Sequence, residues 1–123
     1  MLWAVAIGSA AGGCCRYLLS RLLNRPGELL PWGTLAINVA GSFLLGLILR
    51  YALDRPDFSP VLRTGLLAGF CGGFTTFSSF SGETFELLER GLWAPAAGYA
   101  AASVLLCLGA TALGAALGRA VAA

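Results

Sequence analysis

A chain of 123 residues that is 58% hydrophobic and only 11% charged falls outside the composition of soluble globular domains and reads as an integral membrane protein. Eight basic residues, all arginine, stand against six acids, and the resulting net charge of +2 is too small and too scattered to suggest nucleic acid as a partner. Histidine is absent, so the commonest general base and the imidazole metal ligand are both missing, and the four cysteines sit inside apolar runs without zinc or redox spacing.

A bilayer core takes about 20 apolar residues of helix. Windows of that kind follow one another at residues 2–23, 32–53, 62–88 and 95–121. The first is not preceded by a basic residue, with Arg16 and Arg21 coming late in it, so it is expected to be a retained span rather than a cleaved leader. The connections "NRPGELLP", "DRPDFSP" and "ERGLW" are short and rich in Pro or Gly. Trp3, Trp32 and Trp93 lie at segment ends, where an amphipathic indole favours the headgroup zone. The expected fold is all-α: one membrane domain over residues 1–123, four helices running up and down.

Orientation is hardly encoded. The side holding the second-to-third connection and both termini carries Arg50, Arg55, Arg63 and Arg119; the other carries Arg21, Arg25 and Arg90. Orientation normally follows a marked arginine or lysine bias. Two readings follow: an insertion partner orients the chain, or copies insert both ways and pair antiparallel. Gly65, Gly69 and Gly73 in the third segment, with Gly114 and Gly118 in the fourth, repeat at the spacing that lets helix backbones approach closely.

Polar groups inside the spans are costly and mark function or helix–helix contacts. They are Arg16, Thr34, Asn38, Ser42, the cluster from Thr75 to Ser81, Glu83, Tyr99, Ser103 and Thr111. Arg16 either snorkels to the interface or raises the potential of a watery cavity for an anion. Asn38 must find partners for its carboxamide. In "GGFTTFSSFSGE", Gly72 to Glu83, five hydroxyls within seven residues interleave with phenyl rings. Were the helix to run on from Gly73, Thr75, Ser78 and Ser79 would share one face, while Phe77 and Phe80 form a second stripe. Hydroxyls donate to an anion, and ring edges carry positive potential. The double glycine in "CGGFTT" is a poor helix interior and predicts a break there; freed carbonyls would suit a hard cation such as Na⁺.

These residues resemble a known family. "GFCGGFTTFSSF", with "GTLAINVAGSFLLG" and the early "GGCCRY", is similar to the bacterial CrcB/Fluc fluoride channels over essentially the whole chain. The resemblance implies an antiparallel, dual-topology homodimer in the bacterial plasma membrane that exports fluoride passively, with two pores at the interface. It implies that Gly72 and Thr75 give main-chain carbonyls to a structural Na⁺ that is not transported. Phe77 and Phe80 would line the pores, Asn38 would supply an amide, and Ser78 and Ser79 a hydroxyl track. Arg16 would lie near the vestibule and Glu83 near a pore exit, with Tyr99 and Ser103 as polar positions of the last helix. Cys107 stands where some relatives are expected to carry a hydroxyl. A bare fluoride ion costs tens of kcal/mol to desolvate, of order the Born cost, and such donors replace its water without a fixed charge that would trap it. The competing reading, a small four-helix dual-topology multidrug exporter coupled to protons, needs a membrane acid in the first helix; that segment holds Arg16 and no acid.

Overall fold

The computed structural model describes residues 1–123, and every regular element in it is helical. Helix α1 spans Leu2–Leu23 and α2 spans Trp32–Asp54. The third span is composite: α3 (Pro60–Thr64) runs into a π-helical stretch (Gly65–Cys71) and then α4 (Gly72–Phe74), and after two extended residues α5 (Phe77–Glu89) begins. Helix α6 covers Trp93–Ala122. Three helices, α1, α2 and α6, are each long and apolar enough to cross a membrane. The third window becomes two shorter pieces.

Local chemistry sets the boundaries. Helix α2 stops at Arg55, whose extended backbone (φ −128°, ψ 92°) is what the following Pro56 demands. Ser59 caps α3 by accepting from the Leu62 amide, with Pro60 at the first helical position, an arrangement worth about 1 kcal/mol. Helix α5 ends at Glu89, and beyond its cap the φ of +73° at Gly91 lets the Gly91 and Leu92 amides turn back onto the Leu88 and Leu87 carbonyls.

Two helix pairs make the bundle. Helix α2 lies along α6, and α1 lies along the π-helical stretch and α4. Lipid gives helices little hydrophobic reason to associate, so close approach has to supply the attraction. Backbones meet where side chains are missing: a Cβ on Gly46 would collide with the Thr111 carbonyl, and one on Gly114 with the Phe43 carbonyl. The glycine spacing of the third and fourth segments thus does mark packing faces. Large apolar side chains such as Leu2, Leu22, Leu105 and Leu108 point outward, as lipid-facing positions should.

The break in the third span is real but displaced from the glycines. Gly72 keeps helical dihedrals (φ −64°, ψ −37°), and the chain departs from helix at Thr75 (φ −81°, ψ 157°) and Thr76 (φ −147°, ψ 117°). Gly73 serves another purpose: a Cβ there would strike Ser9 of α1.

Candidate functional site

The break is held open by side chains from other helices. Asn38 of α2 makes a two-point clamp on Thr76: its Oδ1 accepts from the Thr76 amide at 2.8 Å, and its Nδ2 donates to the Thr76 carbonyl at 3.1 Å. In a continuous helix the Thr76 amide would bond the Gly72 carbonyl, so the clamp takes that partner away. From the opposite side, Arg16 of α1 donates through Nε to the Gly73 carbonyl at 3.0 Å. The Thr75 hydroxyl folds back onto the Cys71 carbonyl at 2.9 Å, beside the Thr75 amide that bonds the same oxygen. Two helix-terminal carbonyls are thereby satisfied by side chains, as a buried break requires.

Thr76 then starts the next helix. Its Oγ1 accepts from the Ser79 amide at 3.1 Å and lies within hydrogen-bond reach of the Ser78 and Ser79 hydroxyls, at 3.3 Å and 3.2 Å. This corrects the expected hydroxyl face. Thr75 does not share a helix with Ser78 and Ser79, because the clamp on Thr76 ends the preceding helix between them. The phenyl stripe does form: the Phe77 and Phe80 centroids are 5.5 Å apart at 52°, and Phe80 leans on Tyr99 at 5.3 Å.

A cleft of 350 Å³ opens beside the break, between α2, α6 and the start of α5. Asn38, Gly72, Thr75, Phe77, Phe80 and Ser103 all line it, and so does Cys107. Ser103 is buried at 8% exposure, yet its hydroxyl has no hydrogen-bond partner. A buried hydroxyl without a partner is uncommon, and because this oxygen is closed off from solvent, a guest in the cleft would reach it only once the side chain turns. The amino end of α5 opens on the same space, and a helix N-terminus favours negative charge.

The remaining candidates lie away from that cleft. Tyr99, 2% exposed, stands behind Phe80 and donates its hydroxyl to Glu83 Oε2 at 2.7 Å. Glu83 Oε1 accepts from the Thr34 hydroxyl, also at 2.7 Å. Glu83 itself lines a second cleft of 220 Å³ at the bundle end, with Arg25, Glu28, Glu86 and Arg90. Phe80, Tyr99 and Glu83 therefore form a chain of contacts from the inner cleft to the mouth. Ser78 and Ser79 line neither space, and Arg16 lies on the α1 side of the break. Sequence reading assigned no role to Thr76 or Thr34, although both stood among the intramembrane polar residues. The signal for Thr76 was the capping pattern, a threonine three residues before a serine amide at the start of an amphipathic run.

Comparison with known proteins decides the family. Residues 3–115 match the family described as CrcB-like protein, Camphor Resistance (CrcB). The chain belongs to it. Among its relatives is a protein of Bordetella petrii named fluoride-specific ion channel FluC, 50% identical over 111 residues that make up 90% of this chain and 85% of that one. The namesake of Geobacter sulfurreducens is 52% identical over 106 residues, 85% of this chain and 86% of its own. That of Koribacter versatilis is 44% identical over 110 residues, covering 89% and 86%. The CrcB match thus takes in every residue that lines either cleft.

Proposed function

We propose that this CrcB-family protein is a fluoride-specific channel of the bacterial plasma membrane, exporting the ion passively to limit its toxicity in the cytoplasm. The observation that carries the reading is the inner cleft: an unpartnered buried hydroxyl (Ser103), a carboxamide (Asn38) and two phenyl rings (Phe77, Phe80) meet there without an arginine on the wall. Such donors replace the hydration of a small anion while leaving it free to move on. The names borne by the relatives support the same reading. Ions would pass along the Phe77 and Phe80 edges toward Tyr99 and Glu83.

The working unit is an antiparallel, dual-topology homodimer. Phe77 is 78% exposed in a single chain, which supports a second copy closing the cleft over it. The near-even arginine distribution supports insertion in both directions. A structural Na⁺ is compatible with the break, because Gly72 and Thr75 both line the cleft and the clamp has removed the helical partner of the Gly72 carbonyl. Those two oxygens would hold it, and the ion would supply charge that binds backbone carbonyls of both copies without itself crossing.

Liposomes loaded with fluoride and then with chloride test the function directly. Fluoride efflux read by electrode should be rapid and chloride efflux negligible; equal rates for the two ions would overturn the assignment. Topology is tested separately by Asp57→Cys in a background without the native cysteines. Asp57 is 75% exposed, and unlike Ser59 it caps no helix. An impermeant thiol reagent should label part of the protein in intact cells and the rest only after permeabilisation, whereas labelling wholly from one side would exclude dual topology.

A further inference from the structure

We propose that Asn24, in the first connection, is a positioning residue for Glu83, acting through the Thr34 hydroxyl; the functional consequence rests on the fluoride reading above.

Helix α2 begins behind Pro31, whose side chain cannot cap it. Asn24 does so from across the loop: its Oδ1 accepts from the Thr34 amide in the first turn of α2 at 3.3 Å. Its own amide donates to the Ser20 carbonyl at the end of α1, so a single residue ties the end of one helix to the start of the next. Space is kept for this seat. A Cβ on Gly33 would fall on the Asn24 carboxamide and backbone nitrogen, so only glycine leaves room there.

The bond to the Thr34 amide fixes which end of the carboxamide points where. With Oδ1 occupied by a donor, Nδ2 faces the Thr34 hydroxyl and donates to it at 3.4 Å. A hydroxyl has one hydrogen. Since its neighbour on this side is a donor, that hydrogen goes to Glu83 Oε1, the 2.7 Å bond already described. Thr34 is buried at 3% exposure, so water does not substitute. Glu83 thus receives two hydroxyl donors, one from Tyr99 and one whose direction Asn24 sets, and stays seated between the two clefts. Removing the donor at residue 24 releases that direction and lets the carboxylate swing toward Arg25 or Arg90, which share its cleft.

Asn24→Asp tests this with little disturbance of the fold. Aspartate keeps the acceptor for the Thr34 amide and suits a helix N-terminus, but its second oxygen competes with Glu83 for the Thr34 hydrogen. Fluoride efflux from liposomes should fall about tenfold, the scale of one lost hydrogen bond to a charged group. Elution and melting temperature should stay parent-like. In a Thr34→Val background, where efflux is already low, adding Asn24→Asp should change nothing further, and Thr34→Ser should restore the dependence on residue 24. Infrared difference spectra, with the Glu83 carboxylate band assigned against Glu83→Gln, should show that band moving in Asn24→Asp. An unmoved band, or an Asp effect of full size in the Thr34→Val background, would overturn the proposal. A moved band in a protein whose parent passes no fluoride would keep the link from Asn24 to Glu83 and discard the channel reading instead.

Discussion

The α2–α6 pair and the third span use glycine and hydroxyls to opposite ends. In the pair, glycines let two unbroken helices touch, and Thr111 spends its hydroxyl on the carbonyls of Cys107 and Ser42, at 3.0 Å and 3.2 Å. That hydroxyl is used up in joining the two helices. In the third span the helix is interrupted, side chains take the places of backbone partners, and one hydroxyl across the cleft stays unpaired. On the channel reading, the glycine faces carry stability, and the cleft beside the break, walled by both regions, carries the chemistry. A buried break survives in a membrane only if its polar groups are satisfied within the protein or line a cavity.

That division can be tested from both sides. The largest effect is expected at Gly46→Leu, because the facing atom is a backbone oxygen that cannot move aside. Overpacking there should cost on the order of 3 kcal/mol or more, and size-exclusion profiles should show aggregated protein. A monodisperse variant with parent melting would mean that the pair is not the stabilising unit. Next comes Asn38→Asp, which sets an acceptor against the Thr76 carbonyl. It should retain helix content by circular dichroism while fluoride efflux falls by at least about tenfold, from loss of a buried hydrogen bond. Unfolding instead would move the clamp to the structural side of the comparison.

The rings sharpen it further. Phe77→Ile and Phe80→Ile keep apolar bulk but remove the ring edges, so efflux should drop in both. Melting should shift more for Phe80, which packs on both Phe77 and Tyr99 and stands to lose about 1 kcal/mol of aromatic contact with each, than for Phe77, which touches Phe80 alone. Efflux equal to the parent in both variants would reduce the stripe to packing. Thr111→Val should do least. Its hydroxyl returns to carbonyls near in structure, and losing it should cost about 1 kcal/mol or less with efflux unchanged; a marked loss of efflux would extend the functional region along the pair beyond Asn38 and Ser103.

The regular half was largely legible. The limits of the first span, residues 2–23, were read in full because "NRPGELLP" stops a helix by local chemistry alone. The second and fourth spans ran one and three residues longer than expected, 54 against 53 and 93–122 against 95–121. The break was harder to read. Glycine propensity points to Gly72 and Gly73, but the missing side chain of Gly73 serves contact with α1, Gly72 stays helical, and the actual interruption is chosen by Asn38, which stands 38 residues away in sequence. Asn38, Phe77, Phe80 and Ser103 were singled out as polar or aromatic oddities within apolar runs, and they do meet on one cleft. Thr34 stands out as polar, but its partner is not legible, since Glu83 reaches it only after the chain has reversed and passed the break.

The clamp on Thr76 also has a bearing on biogenesis. Alone, the third window is a single apolar stretch in which only the double glycine, the two β-branched threonines and the Thr76 cap weigh locally against a continuous helix. The residues that hold it open, Arg16 and Asn38, belong to the two spans made earlier by the ribosome. When the third segment leaves the insertion machinery, its partners are therefore already in the bilayer, and interrupting the helix becomes a step of lateral assembly. A chain whose third span was delivered before its second would lack the Asn38 clamp while the span settled.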